Sequence, residues 1–306
     1  MSPLPPKFKN LLFVLGPSKA VSQRLCRLLP AEKGKIHTRS FPDGETYLRV
    51  LWPCRGRHVA IFADLVNPDT KILKLAFLSE TLRAQGARSV GMIVPYLPYM
   101  RQDRSFHKGE SITSRIFAKI ISTHCDWLVT VDPHLHRFDS LAEIYSIPTR
   151  IVPAAPVIAR WIQQHVQKPV LIGPDGESTQ WVSQIAEAAK IPSVILSKKR
   201  HGDRDVSIAS ADLGKWLTHT PILVDDIIST GHTMMATMRH LKQQGFKAPI
   251  CIGVHALFAG NASDELLTAG AAKIVTCNTV AHASNAIDLS SGLAETVRGI
   301  FGKALP

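Results

Sequence analysis

Short apolar runs alternate with longer amphipathic stretches from one end of the chain to the other. The runs are Leu11–Leu15, Val59–Phe62, Val90–Val94, Trp127–Val131, Val170–Ile172, Val194–Leu196, Ile222–Val224, Ile250–Val254 and Ile274–Thr276. They are too short for helices, and their continuous apolar character is that of strands buried on both faces of a parallel sheet. Between them, Thr70–Gln85, Ser111–His124, Ala155–Gln167, Ser178–Lys190, His232–Gln244 and Ser263–Ala269 show the three-and-four spacing of helices. Gly86, Gly245 and Gly270 stand where helix C-caps are expected. Strand and helix in alternation predict an α/β fold with largely parallel sheets. Three prolines fall between Ile147 and Pro156, which places a boundary there and predicts two stacked domains of similar design, 1–150 and 151–306. Val129-Thr130-Val131-Asp132 and Leu223-Val224-Asp225 are both apolar strands ending on Asp, a hint of duplication, although any α/β strand can end that way.

With 306 residues each half is long enough to bury its own core. The formal charge is +12, from 36 Lys and Arg against 24 Asp and Glu, and a field of that sign favours polyanionic partners. The basic residues are scattered, and no zinc-finger spacing or aromatic-basic RNA-binding motif is present, so nucleic acid is not expected as a partner. Five cysteines without a CxxC pair point to a reduced compartment. The N-terminal apolar run Leu11–Leu15 is too short for a signal core or a membrane span. A soluble, cytoplasmic protein with no membrane contact is the expectation.

The segment Ile222-Leu223-Val224-Asp225-Asp226-Ile227-Ile228-Ser229-Thr230-Gly231-His232-Thr233-Met234 combines an apolar strand, two carboxylates and a hydroxyl-rich turn that opens a helix. Unpaired amides at a helix N-terminus suit a phosphate, with Ser229, Thr230 and Thr233 as additional donors, while the carboxylates can hold a diol. A ribose 5-phosphate unit meets both demands. Each part alone has a plain structural reading as a strand end or a cap. The segment resembles the phosphoribosyl-diphosphate-binding loop shared by type I phosphoribosyltransferases and ribose-phosphate pyrophosphokinases. The resemblance implies two phosphoribosyltransferase-like domains, the first on the ATP side and the second on the ribose 5-phosphate side, with Asp225, Asp226, Ser229, Thr230, Gly231, His232 and Thr233 binding the sugar phosphate.

Further segments resemble the pyrophosphokinases and together cover the chain from Phe41 to Thr233. Phe41-Pro42-Asp43-Gly44-Glu45 is similar to the family's nucleotide-binding hairpin, which implies that Phe41 stacks on adenine and that Asp43 and Glu45 accept from its amino group; alone it is an ordinary turn. The family places this hairpin in a neighbouring subunit's site, which implies a homo-oligomer. Tyr99-Met100-Arg101-Gln102-Asp103-Arg104 is similar to the Arg-Gln-Asp signature, implying that Arg101 and Gln102 contact ATP phosphates and base. Val131-Asp132-Pro133-His134-Leu135-His136 implies a Mg2+ site with Asp132 and His134, the latter also touching ATP. A zinc hydrolase reading of His-x-His lacks its further ligands. Gly173-Pro174-Asp175-Gly176-Glu177-Ser178 supplies Asp175 as a residue organising sugar and metal, against the plain alternative of a loop acid before a capping serine.

Ser197-Lys198-Lys199-Arg200-His201-Gly202-Asp203-Arg204-Asp205 is basic, contains glycine and lacks apolar anchors, so a mobile loop is expected. In the pyrophosphokinases such a loop brings a Lys and an Arg over the transferring group, and the resemblance assigns these catalytic roles to Lys198 and Arg200. A solvated basic face is the structural alternative. The implied reaction moves the β,γ-diphosphoryl group of MgATP to the 1-hydroxyl of ribose 5-phosphate. Four departures stand out: His232 where the family generally has glycine, Lys199 where the common branch has Arg, Glu177 where the best-known branch is glycine-rich, and His136-Arg137 where the common branch has smaller residues. The competing readings are a phosphoribosyltransferase, which needs no ATP, and a catalytically silent relative serving as a regulatory subunit.

Overall fold

The computed structural model describes residues 9–16, 19–174, 176–201, 205–209 and 213–302, with backbone only at 19, 177, 197–201 and 205–209. The chain divides into two compact units, one comprising the residues up to Val152 together with those from Ser290 onward, the other running Pro153–Leu289.

The first unit contains β1 (Asn10–Leu15), α1 (Lys19–Leu28), β2 (Glu32–Lys33), β3 (Ile36–Ser40), β4 (Thr46–Val50), β5 (His58–Ala63), α2 (Asp69–Ala84), β6 (Ser89–Val94), α3 (Thr113–His124), β7 (Trp127–Val131) and β8 (Thr149–Val152). Six of these strands form a sheet in the order β2-β1-β5-β6-β7-β8, with parallel pairing throughout. Helices cover both faces of such a sheet, so β1, β5, β6 and β7 bury nearly every side chain. Gly91 is placed opposite Trp127 in this ladder, and a Cβ there would come within 1.8 Å of the indole. The glycine is therefore the space that the buried Trp127 occupies. β3 and β4 pair antiparallel as a separate hairpin.

The second unit contains α4 (Ala155–His165), β9 (Pro169–Gly173), α5 (Thr179–Ala189), β10 (Ser193–Ile195), β11 (Ser197–His201), β12 (Asp205–Ala209), β13 (Thr220–Ile228), α6 (His232–Gln243), β14 (Ile250–Ala256), α7 (Ala262–Thr268), β15 (Lys273–Cys277) and β16 (Asn285–Ile287). Its sheet runs β10-β9-β13-β14-β15-β16, again parallel. α8 (Ser290–Phe301) follows. It packs on α1, β7 and β8, so the expected range 151–306 is corrected: α8 folds with the first unit.

Both sheets have one strand order when numbered from the first strand of each, 2-1-3-4-5-6, and both carry an antiparallel ribbon between the second and third of these strands: β3–β4 in the first unit, β11–β12 in the second. That shared design supports duplication, but it pairs different strands from those suggested by the Asp endings. The counterpart of β13 is β5, which ends before Asp64, and not β7, which ends before Asp132.

The expected helices are all present within a few residues, and Gly86, Gly245 and Gly270 take the positive φ of C-cap glycines. The basic segment from Ser197 has a β-ribbon backbone rather than an irregular loop. All five cysteines are free, and among the described residues no helix is long and apolar enough to cross a membrane.

Candidate active site

In an open parallel sheet, ligands bind beyond the carboxyl ends of the strands where the strand order reverses. In the second unit that point lies between β9 and β13, the two strands whose ends carry Gly173-Pro174-Asp175 and the Asp225–Thr233 segment. The topology thus brings two of the sequence-derived motifs to one crevice. Asp175 itself lies outside the described residues. Around it, a Cβ on Gly173 would fall 2.5 Å from Ser178 Oγ, so the missing side chain lets the buried Ser178 fold over the strand end. Ser178 holds the N-cap position of α5 without a capping hydrogen bond, which corrects the capping alternative.

β13 runs to Ile228, four residues beyond the apolar run, so Asp225 and Asp226 lie within the strand instead of after it. Each carboxylate accepts the following amide: Asp226 N–H donates to Asp225 Oδ1 at 3.0 Å and Ile227 N–H to Asp226 Oδ1 at 2.8 Å. Asp225 is half-buried, whereas Asp226 is only 4% exposed. Asp225 is therefore the more accessible acid.

At the turn after β13 the carbonyls of Ile228, Ser229 and Gly231 accept backbone amides. Ile228 O accepts from Phe258 N–H at 2.9 Å, and Ser229 O accepts from Ala259 N–H at 3.1 Å. The first-turn amides of α6, which by helix geometry have no carbonyl four residues back, are the groups available to an anion. Gly231 is the N-cap residue, in the left-handed region at φ 69°, with Leu266 atoms 3.1 Å from where a Cβ would sit. His232 is exposed and begins the helix with an ordinary negative φ. Positive φ is thus required at Gly231 and not at His232, which removes backbone strain as an objection to histidine there. Gly231→Ala should cost about 1–2 kcal/mol of stability through left-handed strain, read as a lowered Tm. An unchanged Tm would show that the turn relaxes freely.

In the first unit, the residues expected to bind nucleotide and metal lie beyond β6 and β7. Tyr99 has φ 63° and its phenol donates to Asp69, an acceptor that pushes the phenol pKa up to about 12. Gln102 is held from α3: its backbone carbonyl accepts from Ser114 N–H at 3.3 Å and its side-chain oxygen from the Thr113 hydroxyl at 3.3 Å. Arg101 is exposed. Asp132 is 5% exposed and also left-handed, at φ 27°. His134 is half-buried, its ring edge-on to His136 with centroids 3.9 Å apart. Arg137 Nε donates to Asp103 Oδ1 at 3.1 Å, which gives the departing arginine a partner inside the Arg-Gln-Asp segment. Motif matching assigned no role to Thr113 or Arg137; Arg137 stood out only as a departure, and their contacts to Gln102 and Asp103 are visible only in the packing.

The hairpin places Phe41 38% exposed near its tip, with the Arg39 guanidinium 4.3 Å from the Phe41 centroid and 4.7 Å from that of Tyr47. Such cation–π contacts hold the ring in place. Its turn closes through Phe41 N–H to Glu45 O at 2.8 Å and Glu45 N–H to Asp43 Oδ1 at 3.2 Å. Asp43 and Glu45 are exposed. Lys198 and Arg200 belong to β11 by their backbone; their side chains lie outside the described part.

The order-reversal point of the first unit carries none of these residues. It lies between β1 and β5, where a Cβ on Gly16 would come 2.9 Å from Asp64 Cβ, and where Asp64 pairs with Lys71 at 3.5 Å. A cavity of about 890 Å³ opens at the amino ends of the strands of the same sheet, lined in part by the Arg83–Asp126 and His124–Glu80 pairs.

Residues 11–124 match the N-terminal domain of ribose phosphate pyrophosphokinase, and residues 149–290 match the phosphoribosyl transferase domain. The chain is 32% identical to the ribose-phosphate pyrophosphokinase of Methanopyrus kandleri over 295 residues, covering 95% of this chain and 100% of that protein. The chain belongs to the ribose-phosphate pyrophosphokinase family of enzymes. The pyrophosphokinase of Sulfolobus acidocaldarius is 31% identical over 283 residues, covering 90% of this chain and 96% of that protein. The fold agrees with that of phosphoribosylpyrophosphate synthetase from Mycobacterium smegmatis, at a TM-score of 0.86 and 22% identity, covering 96% of this chain and 99% of that one. A ribose-phosphate pyrophosphokinase of this family thus has two phosphoribosyltransferase-like α/β units.

Proposed function

We propose that this family member makes phosphoribosyl diphosphate: the 1-hydroxyl oxygen of ribose 5-phosphate attacks the β-phosphorus of MgATP, the bond from that phosphorus to the α,β-bridging oxygen breaks, AMP departs with the oxygen, and the hydroxyl proton is released. The reading is carried by the crevice at the order-reversal point of the second unit, where an accessible Asp225 precedes a turn whose Ser229 and Gly231 carbonyls are occupied and whose helix amides remain available.

Asp225 holds the ribose hydroxyls, with Asp226 behind it, and Ser229, Thr230, Gly231, His232 and Thr233 surround the 5-phosphate at the α6 terminus. Arg101 and Gln102 meet the nucleotide, and Phe41, backed by Arg39, offers an exposed ring for the base, with Asp43 and Glu45 beside it. Because that hairpin is a ribbon separate from the main sheet, we infer that it serves a neighbouring copy in a homo-oligomer, as the family resemblance implies. Lys198 and Arg200 act on the transferring group.

Mg2+ takes oxygen ligands and keeps several waters, so one or two carboxylates and the substrate phosphates suffice. The buried Asp132 carboxylate, with His134 two residues further along the chain, fits that modest requirement, and Asp175 is the further candidate ligand. When bound, the ion neutralises phosphate charge and orients the polyphosphate.

The test is to supply MgATP and ribose 5-phosphate and identify the adenine product. AMP formed only with the sugar present is the expected result. ADP would instead make this an ordinary kinase, and no turnover alongside intact binding of both substrates would favour a silent relative. A phosphoribosyltransferase would leave residues 11–124, which match the pyrophosphokinase N-terminal domain, without a role.

A further inference from the structure

We propose that Arg137 is a positioning residue for the nucleotide, acting through Asp103; this rests on the nucleotide role given above to Arg101 and Gln102. The segments carrying Arg101–Arg104 and Asp132–Arg137 leave the sheet from neighbouring strands, β6 and β7, whose last paired residues are Val94 and Thr130. One further backbone bond, Val131 N–H to Pro95 O at 3.3 Å, extends that connection. Beyond it, each segment contains a non-glycine residue with positive φ, Tyr99 at 63° and Asp132 at 27°. Conformations of this kind persist only where surrounding contacts hold them.

The Arg101–Arg104 segment is held on the α3 side by two contacts to Gln102, both at 3.3 Å, the long end of the hydrogen-bond range. Arg137 supplies the hold from the β7 side, Nε to Asp103 Oδ1 at 3.1 Å. The Asp103 side chain is 7% exposed and that of Arg137 43%, so the pair is shielded on its acidic side and open on its basic one. The fork of an arginine lets Nε engage one acceptor while the terminal nitrogens stay available to another anion. Arg137 thus continues the link between the two segments past the edge of the sheet. Without it, the Arg101–Arg104 segment must be ordered by the nucleotide itself, and apparent affinity falls by the fraction of molecules already in the competent arrangement.

The experiment measures MgATP affinity by calorimetry without sugar, and separately KM and kcat, for the full chain and for Arg137→Ala, Arg137→Lys, Asp103→Asn and the Arg137→Ala/Asp103→Asn double variant. Loss of the pair should weaken MgATP binding about tenfold, with kcat at saturating MgATP within about twofold and KM for ribose 5-phosphate unmoved, the signature of lost preorganisation rather than lost chemistry. Lysine should restore most of the affinity, and the double variant should be no weaker than either single one, because the two act as a unit. The gap between wild type and Arg137→Ala should narrow at high salt, since the pair is partly exposed. Arg137→Gln, which keeps the stem, serves if the alanine variant fails to fold. Unchanged affinity in the variants, or additive losses in the double variant, overturns the inference and leaves the proposed reaction standing. A wild-type chain that binds no MgATP overturns both.

Discussion

Asp225→Ala is expected to lower kcat/KM for ribose 5-phosphate by about a hundredfold, consistent with losing hydrogen bonds from the sugar hydroxyls to a charged acceptor at about 1.5–3 kcal/mol each. The loss should appear chiefly as a higher KM for the sugar phosphate, with the KM for MgATP little changed, because Asp225 belongs to the second unit at the mouth of the β9–β13 crevice. The adjacent acid behaves differently. Asp226 is buried and accepts the Ile227 amide, so its removal should lower Tm before it alters recognition. Initial-rate measurements with each substrate varied in turn separate these effects. An Asp225→Ala enzyme with an unaltered KM for ribose 5-phosphate would remove the diol role and with it the main support for the sugar site.

The second large effect is expected at Lys198. Phosphoryl transfer requires little covalent help from protein and depends on positioning and on neutralising charge as it shifts. A cation that strengthens its contact only during transfer contributes to turnover rather than to binding. Lys198→Ala should therefore reduce kcat by about a hundredfold or more, equivalent to about 2.7 kcal/mol of transition-state stabilisation, while both KM values stay within a few-fold. Arg200→Ala should follow the same pattern. Rapid-quench measurement of AMP formation in a single turnover places the defect on the chemical step; a folded Lys198→Ala enzyme with normal turnover would eliminate the lysine from catalysis.

Much of the architecture was legible because parallel strands covered on both faces must be apolar throughout, and helices that cover them must be apolar on one side. Elements without that constraint escaped notice. β8 is an edge strand with two exposed residues among four, and β2 has only two residues. The β11 sequence Ser-Lys-Lys-Arg-His has no apolar alternation, so nothing in its periodicity marked it as a strand. Motif positions showed the same division. Asp225 and Gly231 could be singled out as candidates because a turn suited to phosphate restricts residue type. Arg137 was visible only as a departure, because its partner Asp103 is 34 residues away in sequence.

By itself, the amino-acid order determined the class of fold, the alternation of strand and helix, and the motifs suited to a sugar phosphate and a polyphosphate, since these depend on local spacing and side-chain chemistry. Tertiary structure decided which strand ends meet at the order-reversal point, that β5 rather than β7 is the counterpart of β13, that the final helix returns to the first unit, and that Arg137 braces Asp103. Those outcomes depend on which distant segments share a sheet or a core. Local propensity carries no information about that choice; it is made by the packing of whole apolar surfaces.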